Sequence, residues 1–312
     1  MQRPSVTVIL PHYDCARFLR DAVLSILAQR DVSVQLWLVD DCSPTDDWRR
    51  SIADLADDDR LRVYRTSQNV GLYRLKNAVI PLITTPYVAF QDADDLSEPT
   101  RLAKQIALME RTRAGLVGCG FRYLTEDSAI VSERTMVRNG NLWLWLWLGR
   151  FVLLHPTSVC RRDIFGAIGG FDGTARFAAD DDFLFRVAAL YRVRNVDEVL
   201  YSYRQRTESL TGRPDTGHGS PARLAYVRNA RRRAARRRWI FGRRRLMHAL
   251  QAPPNDIAFT VDRVRMGAPA RPAAQGSPVD LGGPADRGAR DRETRPHAGE
   301  RTDHPDGLEG QS

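Results

Sequence analysis

Four short apolar runs alternate with amphipathic stretches along the first 114 residues. The runs are residues 6–10, 35–39, 61–65 and 87–91, and their length and β-branched content predict buried strands. The first stretch between them has apolar residues at helical spacing: Phe18, Leu19, Ala22, Val23, Ile26 and Leu27. Strands and helices that alternate in this way predict an α/β fold, with a mostly parallel central sheet covered by helices on both faces.

The helix limits follow from capping residues and spacing. Asp14 is placed to cap the helix after the first strand, and Ser43 with Pro44 provides an N-cap and a first-turn proline for the next one. Further helices are predicted for residues 72–80, around Leu102, Ile106 and Met109, and around Phe183, Val187 and Leu190.

The charge of the chain is concentrated near its C-terminal end. Residues 1–210 hold 27 basic and 27 acidic side chains, so the whole net charge of +9 lies after them, and residues 222–250 contain 11 arginines and no acid. We expect one domain over residues 1–210, with halves 1–114 and 115–210, then a basic segment over 211–250. Residues 251–312, rich in Gly, Pro, Arg and Asp, predict a disordered tail. Because the body is neutral, nucleic acid is an unexpected partner.

The cysteines and the hydropathy indicate a compartment. Cys15, Cys42, Cys119 and Cys160 show no C-x-x-C spacing, no signal peptide precedes Val6, and no apolar stretch reaches the ~20 residues that span a bilayer. We therefore expect a cytoplasmic protein, either free or peripheral on the inner face of the cytoplasmic membrane.

Carboxylates stand where two of the predicted strands end. Asp40 and Asp41 close the second run, and Asp92, Ala93 and Asp94 follow the fourth. Ligands of open α/β sheets bind outside the carboxyl ends of the strands, so a polar or cationic ligand shared by the two ends is expected. The pattern Asp-x-Asp suits a divalent ion held together with substrate phosphates. The alternative is that these aspartates cap the turns that follow them.

Five short motifs, taken in order, resemble family 2 of the glycosyltransferases, enzymes of the GT-A fold that move a sugar from a nucleotide-sugar to an acceptor. The resemblance covers roughly the first two thirds of the chain. The motifs are residues 6–14 (VTVILPHYD), Val39-Asp40-Asp41-Cys42-Ser43, Asn69-Val70-Gly71-Leu72 with Lys76-Asn77, Asp92-Ala93-Asp94, and Gly169-Gly170-Phe171-Asp172 followed by Asp180-Asp181-Asp182. The resemblance implies a single GT-A type domain, followed by the basic segment and the tail.

For the metal, the resemblance implies that Asp94 contacts a divalent ion, Mn²⁺ or Mg²⁺, which bridges the two phosphates of the donor. Asp92 would hold the ribose or the same ion. The leaving nucleoside diphosphate gains negative charge as the glycosidic bond breaks, and a bound cation stabilises that charge.

For the nucleotide, the resemblance implies that Asp41 accepts a hydrogen bond from the base and that Pro11, His12 and Tyr13 form the wall of its pocket. A carboxylate beside uracil can accept the ring N–H, which favours a uridine donor. Lys76 stands where the family more often carries Arg and would meet the diphosphate as a point charge. The alternatives are a helix-capping role for Asp41 and a solvated helix lysine at position 76.

An inverting transfer also requires a general base, because the acceptor hydroxyl loses a proton as it attacks the anomeric carbon. The Glu-Asp signature of the family resembles Ala179-Asp180 here. Aligning Arg186 with the downstream arginine of the family makes Asp180 the base, with Asp181 in reserve. Asp182 is then expected to pair with Arg186 at i, i+4. The alternative is that the three aspartates only favour the helix dipole.

Two positions depart from the family pattern. Cys42 replaces a usual Gly, which questions the geometry of the turn after the second strand. Arg206 stands where many members carry a His that completes the metal sphere, and arginine cannot ligate a metal. The ion would then be held by Asp94, phosphates and water alone, or Arg206 would face the phosphates directly.

Two further segments allow two interpretations each. Residues 142–148 alternate Leu and Trp, which suits either core packing or an interfacial surface that meets a lipid-linked acceptor. Residues 231–245 interleave arginines with aromatic and apolar residues, which predicts either a basic amphipathic helix that binds anionic membrane or a solvated extension. His155 is expected to be structural.

These observations predict a metal-dependent, inverting glycosyltransferase of hexosyltransferase type. It would transfer sugar from a nucleotide-diphospho-sugar, UDP-linked, to a glycan or lipid-linked acceptor in surface polysaccharide or glycolipid synthesis. One alternative is a catalytically inactive member, and another is a protein that binds nucleic acid or membrane through its arginines. A sugar-nucleotide pyrophosphorylase would need a Gly-rich phosphate loop after the first strand, where residues 11–14 read Pro-His-Tyr-Asp.

Overall fold

One mixed sheet runs through the protein, with ten strands in the described part of the chain. The computed structural model describes residues 3–139, 152–207, 209, 211–217, 219–240, 258–264 and 266, and within 235–240 it describes the backbone alone. The strands are β1 (Ser5–His12), β2 (Ser33–Asp40), β3 (Leu61–Thr66), β4 (Tyr87–Phe90), β5 (Leu96–Ser97), β6 (Leu116–Leu124), β7 (Ile130–Arg134), β8 (Val159–Arg161), β9 (Val193–Arg204) and β10 (Val261–Val264).

Seven α-helices within the same ranges flank this sheet. They are α1 (Ala16–Leu27), α2 (Asp47–Ser51), α3 (Leu72–Val79), α4 (Arg101–Thr112), α5 (Ile164–Ile168), α6 (Ala179–Leu190) and α7 (Pro221–Ile240). Short 3₁₀ turns occur at Ala53–Leu55, Ile80–Leu82 and His155–Thr157.

The strand order brings the acidic strand ends together. It is β10-β3-β2-β1-β4-β8-β6-β9-β5, with β7 paired to β6 at the side. The four strands β3, β2, β1 and β4 are parallel, whereas β8 runs antiparallel between β4 and β6. Because β1 is the neighbour of both β2 and β4, the carboxyl ends of these three strands share one edge of the sheet.

The two faces of the sheet have separate hydrophobic cores. Successive residues of β1, such as Val8 and Ile9, point to opposite faces, as the two-residue period of a strand requires. One core packs against α1, α2 and α4, and the other packs against α3, α5, α6 and α7. The α/β architecture predicted from the hydrophobic pattern is confirmed.

The predicted helix starts were less accurate than the helices themselves. The second helix begins at Asp47, with Asp46 in the N-cap position, so the N-cap assigned to Ser43 was wrong. The Ser43 hydroxyl instead donates to Asp40 at 2.5 Å, which closes the turn after β2. At α1 the N-cap position is taken by Cys15 rather than by Asp14.

The part of the basic segment up to residue 234 is packed into the folded body. Ala230 and Ala234 of α7 are buried in the core beside α6, and the Tyr226 hydroxyl donates to Asp172 at 2.8 Å. At about 100° per residue, the arginine positions between residues 223 and 233 fall on all sides of the helix. The amphipathic helix predicted for residues 231–245 stays a prediction, because side chains are described only up to residue 234. Residues 241–250 lie outside the described residues.

The expected disordered tail contains a short strand. Within residues 251–312, Val261–Val264 forms β10, which pairs antiparallel with β3 through the register Val261 to Thr66. The expectation of disorder was wrong for this segment, because β3 would otherwise present an unpaired sheet edge. The remainder of 251–312, beyond residues 258–264 and 266, and the Leu-Trp segment 142–148 lie outside the described residues. No described helix is long and apolar enough to cross a membrane.

If α7 belongs to the fold, Ala230→Glu should lower the free energy of unfolding by about 2 kcal/mol or more, because the extra volume and charge enter a packed core. Asn229→Glu, at the exposed neighbouring position, should change it by less than about 0.5 kcal/mol. Urea denaturation of both variants measures the difference. Equal stabilities would show that α7 contributes little to the fold.

Candidate active site

The loop after β4 carries the Asp-Ala-Asp motif. Asp95, the next residue, connects this loop to β9 through hydrogen bonds. Asp95 is fully buried and accepts hydrogen bonds from the Tyr201 hydroxyl at 2.9 Å and from a backbone N–H at the end of β9 at 2.7 Å. Burial raises the pKa of Asp95 well above its usual range. Asp92 and Asp94, by contrast, stay partly accessible. Asp95 had no predicted role, although a third acid directly after the motif was a signal for such an anchor.

Asp92 lies among other charged groups. Burial raises its pKa to about 6; the Lys76 ammonium opposes this rise, and the carboxylates of Asp94 and Asp180 add to it. The loop after β4 and the first turn of α6 therefore bring their carboxylates to one place. Additional positive charge at this point would be stabilising.

Lys76, on α3, is a buried cation at the centre of the site. It is 1% exposed, and its Nζ lies 5.1 Å from the ring centroid of Phe90 and 5.4 Å from that of Phe171. Loss of hydration lowers the pKa of Lys76, whereas Asp92 and Asp180 raise it. The alternative of a solvated helix lysine is therefore wrong, and its charge acts on the two carboxylates.

The three aspartates of α6 have different surroundings. Asp180 accepts a hydrogen bond from the Tyr73 hydroxyl at 2.9 Å. Asp182 pairs with Arg186 at 2.8 Å, which confirms the predicted i, i+4 pair and makes Asp182 structural. Burial, together with Asp180, raises the pKa of Asp181 to about 7. Tyr73 was missed, because its spacing in the sequence matches the buried face of α3.

Asp94 is already paired with a cation. The Arg206 guanidinium, just after β9, donates from Nε to Oδ2 of Asp94 at 2.6 Å. The same guanidinium lies 5.5 Å from the ring centroid of Phe18. Arg206 thus stands beside the aspartate that the resemblance assigns to the metal.

The acids at this strand end fit a metal that shares its ligands with a substrate. Nowhere in the described ranges do three His, Cys, Asp or Glu side chains group closely enough to hold an ion by themselves. Asp92 and Asp94 provide two carboxylates on one loop, and both are partly accessible. Mg²⁺ and similar ions are commonly held by one or two carboxylates with phosphate oxygens and water. The residues present therefore fit Mn²⁺ or Mg²⁺ bound together with a diphosphate.

Asp41 holds the loop that leads into α3. Its Oδ1 accepts from the Val70 N–H at 2.8 Å and the Thr66 hydroxyl at 3.2 Å, and its Oδ2 accepts from the Gly71 N–H at 2.8 Å. Gly71 has a φ of 86°, a conformation that glycine adopts without strain. Of the roughly four acceptor directions of a carboxylate, these bonds leave about one for a ligand.

The turn after β2 adopts the geometry that the family's glycine would favour. Cys42 has a φ of 56°, in the left-handed region, which costs a non-glycine residue roughly 1–2 kcal/mol. Asp40, fully buried, accepts hydrogen bonds from the backbone and hydroxyl of Ser43 and stabilises the turn. Asp40 is therefore structural.

Of the three residues predicted to wall the nucleotide pocket, two are accessible. Tyr13 is 51% exposed and Pro11 is half-buried. His12 is 2% exposed, its ring centroid lies 5.7 Å from that of Trp48, and burial lowers its pKa to about 4. Since successive residues of a strand point to opposite faces, His12 packs into the core beneath α2, on the side of the sheet away from Pro11 and Tyr13.

Two of the family-like motifs meet in one clamp. The Asn77 side chain donates to the Phe171 carbonyl at 2.8 Å and accepts from the Phe171 N–H at 2.7 Å. A Cβ at Gly170 would lie 2.0 Å from Oδ1 of Asn77, so the close approach requires glycine. This clamp joins α3 to the segment before α6 and so brings Lys76 near Asp180.

Comparisons with known proteins agree with this geometry. The sequence model of the family described as glycosyl transferase family 2 matches residues 7–169, just over half of the chain. EpsE and TuaG of Bacillus subtilis (strain 168) are among the relatives that are named as glycosyltransferases. EpsE is 29% identical over 236 residues, covering 72% of this chain and 81% of EpsE, and TuaG, named for teichuronic acid biosynthesis, is 30% identical over 126 residues, covering 40% and 50%.

Two solved structures share the fold. S. aureus TarS 1-349 in complex with UDP-GlcNAc has a TM-score of 0.54 at 18% identity, and the match covers 66% of this chain and 60% of TarS 1-349. The mannosyltransferase PcManGT from Pyrobaculum calidifontis, in complex with GDP-Man and Mn²⁺, has a TM-score of 0.53 at 18% identity, covering 75% and 70%. The chain belongs to glycosyl transferase family 2 and has a GT-A type α/β fold.

Proposed function

We propose that the protein is an inverting glycosyltransferase that uses a UDP-linked sugar and a divalent ion to extend a glycan or lipid-linked acceptor. The observation that carries the proposal is the meeting of Asp92 and Asp180 at the buried ammonium of Lys76, with Asp94 acting on Asp92 from the same loop. A strand-end pair of carboxylates and a separate helix-borne carboxylate provide one place for a donor diphosphate and another for a base. An inactive protein would have no need to keep both.

In the proposed reaction, Asp180 accepts the proton of the acceptor hydroxyl as its oxygen attacks the anomeric carbon. The new glycosidic bond forms while the bond to the diphosphate breaks, and its electron pair leaves with the nucleoside diphosphate. Tyr73 orients the carboxylate through its hydrogen bond to Oδ1. Lys76 neutralises part of the local negative charge. Asp92 and Asp94 would hold the metal, which when bound stabilises the charge of the leaving diphosphate.

The finer assignments draw on the relatives. TarS binds UDP-GlcNAc, whereas PcManGT binds GDP-Man and Mn²⁺, so the choice of uridine rests on TarS and on the one free acceptor direction of Asp41. The name of TuaG, which gives teichuronic acid biosynthesis, supports a role in polysaccharide synthesis.

UDP with Mn²⁺ should raise the free energy of unfolding by about 2.7 kcal/mol at a hundredfold excess over its dissociation constant. GDP, CDP and dTDP should stabilise less, and UDP without the ion should stabilise less than UDP with it. Asp94→Asn should lose the metal-dependent part, because one carboxylate ligand is removed, whereas Asp21→Asn on the exposed face of α1 should keep it. Thermal shift assays compare these conditions. Full metal-dependent stabilisation of Asp94→Asn would remove the metal assignment.

Asp180→Asn should leave UDP binding intact and reduce turnover by about 10²–10⁴, the usual contribution of a positioned base. Tyr73→Phe should reduce kcat by about tenfold without changing donor KM, since it removes one hydrogen bond to that base. Steady-state kinetics of both variants, with Asp181→Asn as the matched control, test the roles. If Asp181→Asn is inactive and Asp180→Asn is active, the base is Asp181.

The proposal also includes a peripheral position on an anionic membrane surface. The support is the set of 11 arginines without a single acid in residues 222–250, next to a body of zero net charge. Exposed clusters of this kind are attracted to anionic lipid by about 1 kcal/mol per arginine. A membrane position would suit a lipid-linked acceptor.

Arg243, Arg244 and Arg245 changed together to Gln should weaken binding to phosphatidylglycerol vesicles by about a hundredfold at low salt. The matched control changes the exposed body arginines Arg3, Arg30 and Arg111 to Gln and should bind as the unchanged protein does. Co-sedimentation at low and high salt measures both, since salt screens exposed charge. Equal pelleting of the two triple variants would contradict a membrane role for this segment.

A further inference from the structure

A cavity of about 340 Å³ lies beside Asp180, with walls supplied mainly by α6 and α7. One part of its lining is apolar and includes Leu184, Leu224 and Val227. Another part consists of three arginines of α7: Arg223, Arg228 and Arg231. The cavity thus combines an apolar surface with a cluster of cations next to the proposed base.

Three features of this cavity are not explained by packing. Leu224 is 51% exposed. Arg228 is exposed and makes no hydrogen bond or ion pair within the described ranges. The Nε2 atom of His155, a lining residue that is 3% exposed, is buried without a hydrogen-bond partner in the same part of the chain. The exposed Leu224 and the unpaired Arg228 leave an apolar surface and a cation that a ligand can contact.

We infer that this cavity is the acceptor subsite and that the acceptor is a sugar carried on a lipid phosphate. The phosphate is bound by the α7 arginines, the apolar chain lies along Leu184, Leu224 and Val227, and the attacking hydroxyl is on the sugar, which faces Asp180. The inference rests on the proposed function, because it places the acceptor by reference to Asp180. It extends that proposal from a glycan or lipid-linked acceptor to one of stated chemistry.

The arrangement of charges favours an anionic acceptor. Asp180 must stay available to accept a proton, so an acceptor phosphate has to be held away from it. The α7 arginines provide that separate place, and Arg228 can supply bidentate, charge-assisted hydrogen bonds.

The apolar part of the lining disfavours a neutral glycan. Sugar hydroxyl groups placed against Leu184 and Val227 would lose their hydrogen bonds to water without replacement. An apolar chain instead covers these side chains and the exposed Leu224. The cavity volume is at the lower end of the range for small-molecule sites, which suits a phosphate with the first part of a chain.

Binding of farnesyl phosphate, below its critical micelle concentration, tests the inference with the full chain. Calorimetry should show saturable binding that is at least about tenfold tighter than that of farnesol or inorganic phosphate, because only the first probe has both groups. Arg228→Gln should weaken farnesyl phosphate by about tenfold or more, and Leu224→Ser should weaken both lipid probes. Arg232→Gln is the matched control, because it removes the same charge one turn along α7 from a side chain outside the cavity lining. It should bind as the unchanged protein does.

Equal losses in Arg228→Gln and Arg232→Gln would indicate general attraction to a basic surface and would overturn the inference. Binding of inorganic phosphate as tight as that of farnesyl phosphate would overturn the lipid part.

Stabilisation by UDP with Mn²⁺ is measured on the same preparations. If UDP stabilises the protein but farnesyl phosphate does not bind, the acceptor inference fails and the proposed transferase stands. If farnesyl phosphate binds through Arg228 but no nucleotide stabilises the protein, the lipid site stands and the transferase fails.

Discussion

The buried ammonium of Lys76 is the constraint on which the site depends. A cation that is 1% exposed costs several kcal/mol unless opposite charges and favourable contacts compensate it. Here the compensation comes from Asp92 after β4, from Asp180 in the first turn of α6, and from the faces of Phe90 and Phe171. These groups come from parts of the chain about a hundred residues apart. The need to compensate one charge therefore holds the loop after β4 and the first turn of α6 together.

The positions of acids and arginines divide the site into regions with different tasks. Lys76 acts on Asp92, and Arg206 pairs with Asp94. A diphosphate that binds together with a cation would suit this mixture of carboxylates and positive charges. Across the first turn of α6, the arginines of α7 line a cavity with apolar walls. The family match ends at residue 169, before α6 and α7 begin. The residues that we propose for the donor thus lie in the part that the family model matches, whereas those that we propose for the base and the acceptor lie in segments that follow it.

Much of the fold followed from the period of the apolar residues. The four parallel strands and the helices α1, α3, α4 and α6 were predicted close to where they are observed. Each buries a continuous face, and the spacing of the apolar residues along the sequence indicates that face. The start of α2 was not predicted correctly. Ser43 is a good N-cap in isolation, but its hydroxyl donates to the buried carboxylate of Asp40 instead. Strand β10 was not predicted either, because it forms by pairing with β3, an edge that is distant in the sequence, and its own composition does not indicate a strand.

For the site, the sequence by itself determined which chemistry was available: acids at two strand ends, three acids opening a helix, and one lysine where a cation was needed. The tertiary structure decided how those residues are used. It engages Asp41 with backbone N–H groups, buries His12 behind the wall it was expected to form, and pairs Asp94 with Arg206. It also distinguishes Asp180 from its neighbours through Tyr73. Burial and hydrogen-bond partners arise from contacts between distant segments, and no local pattern of residues encodes them.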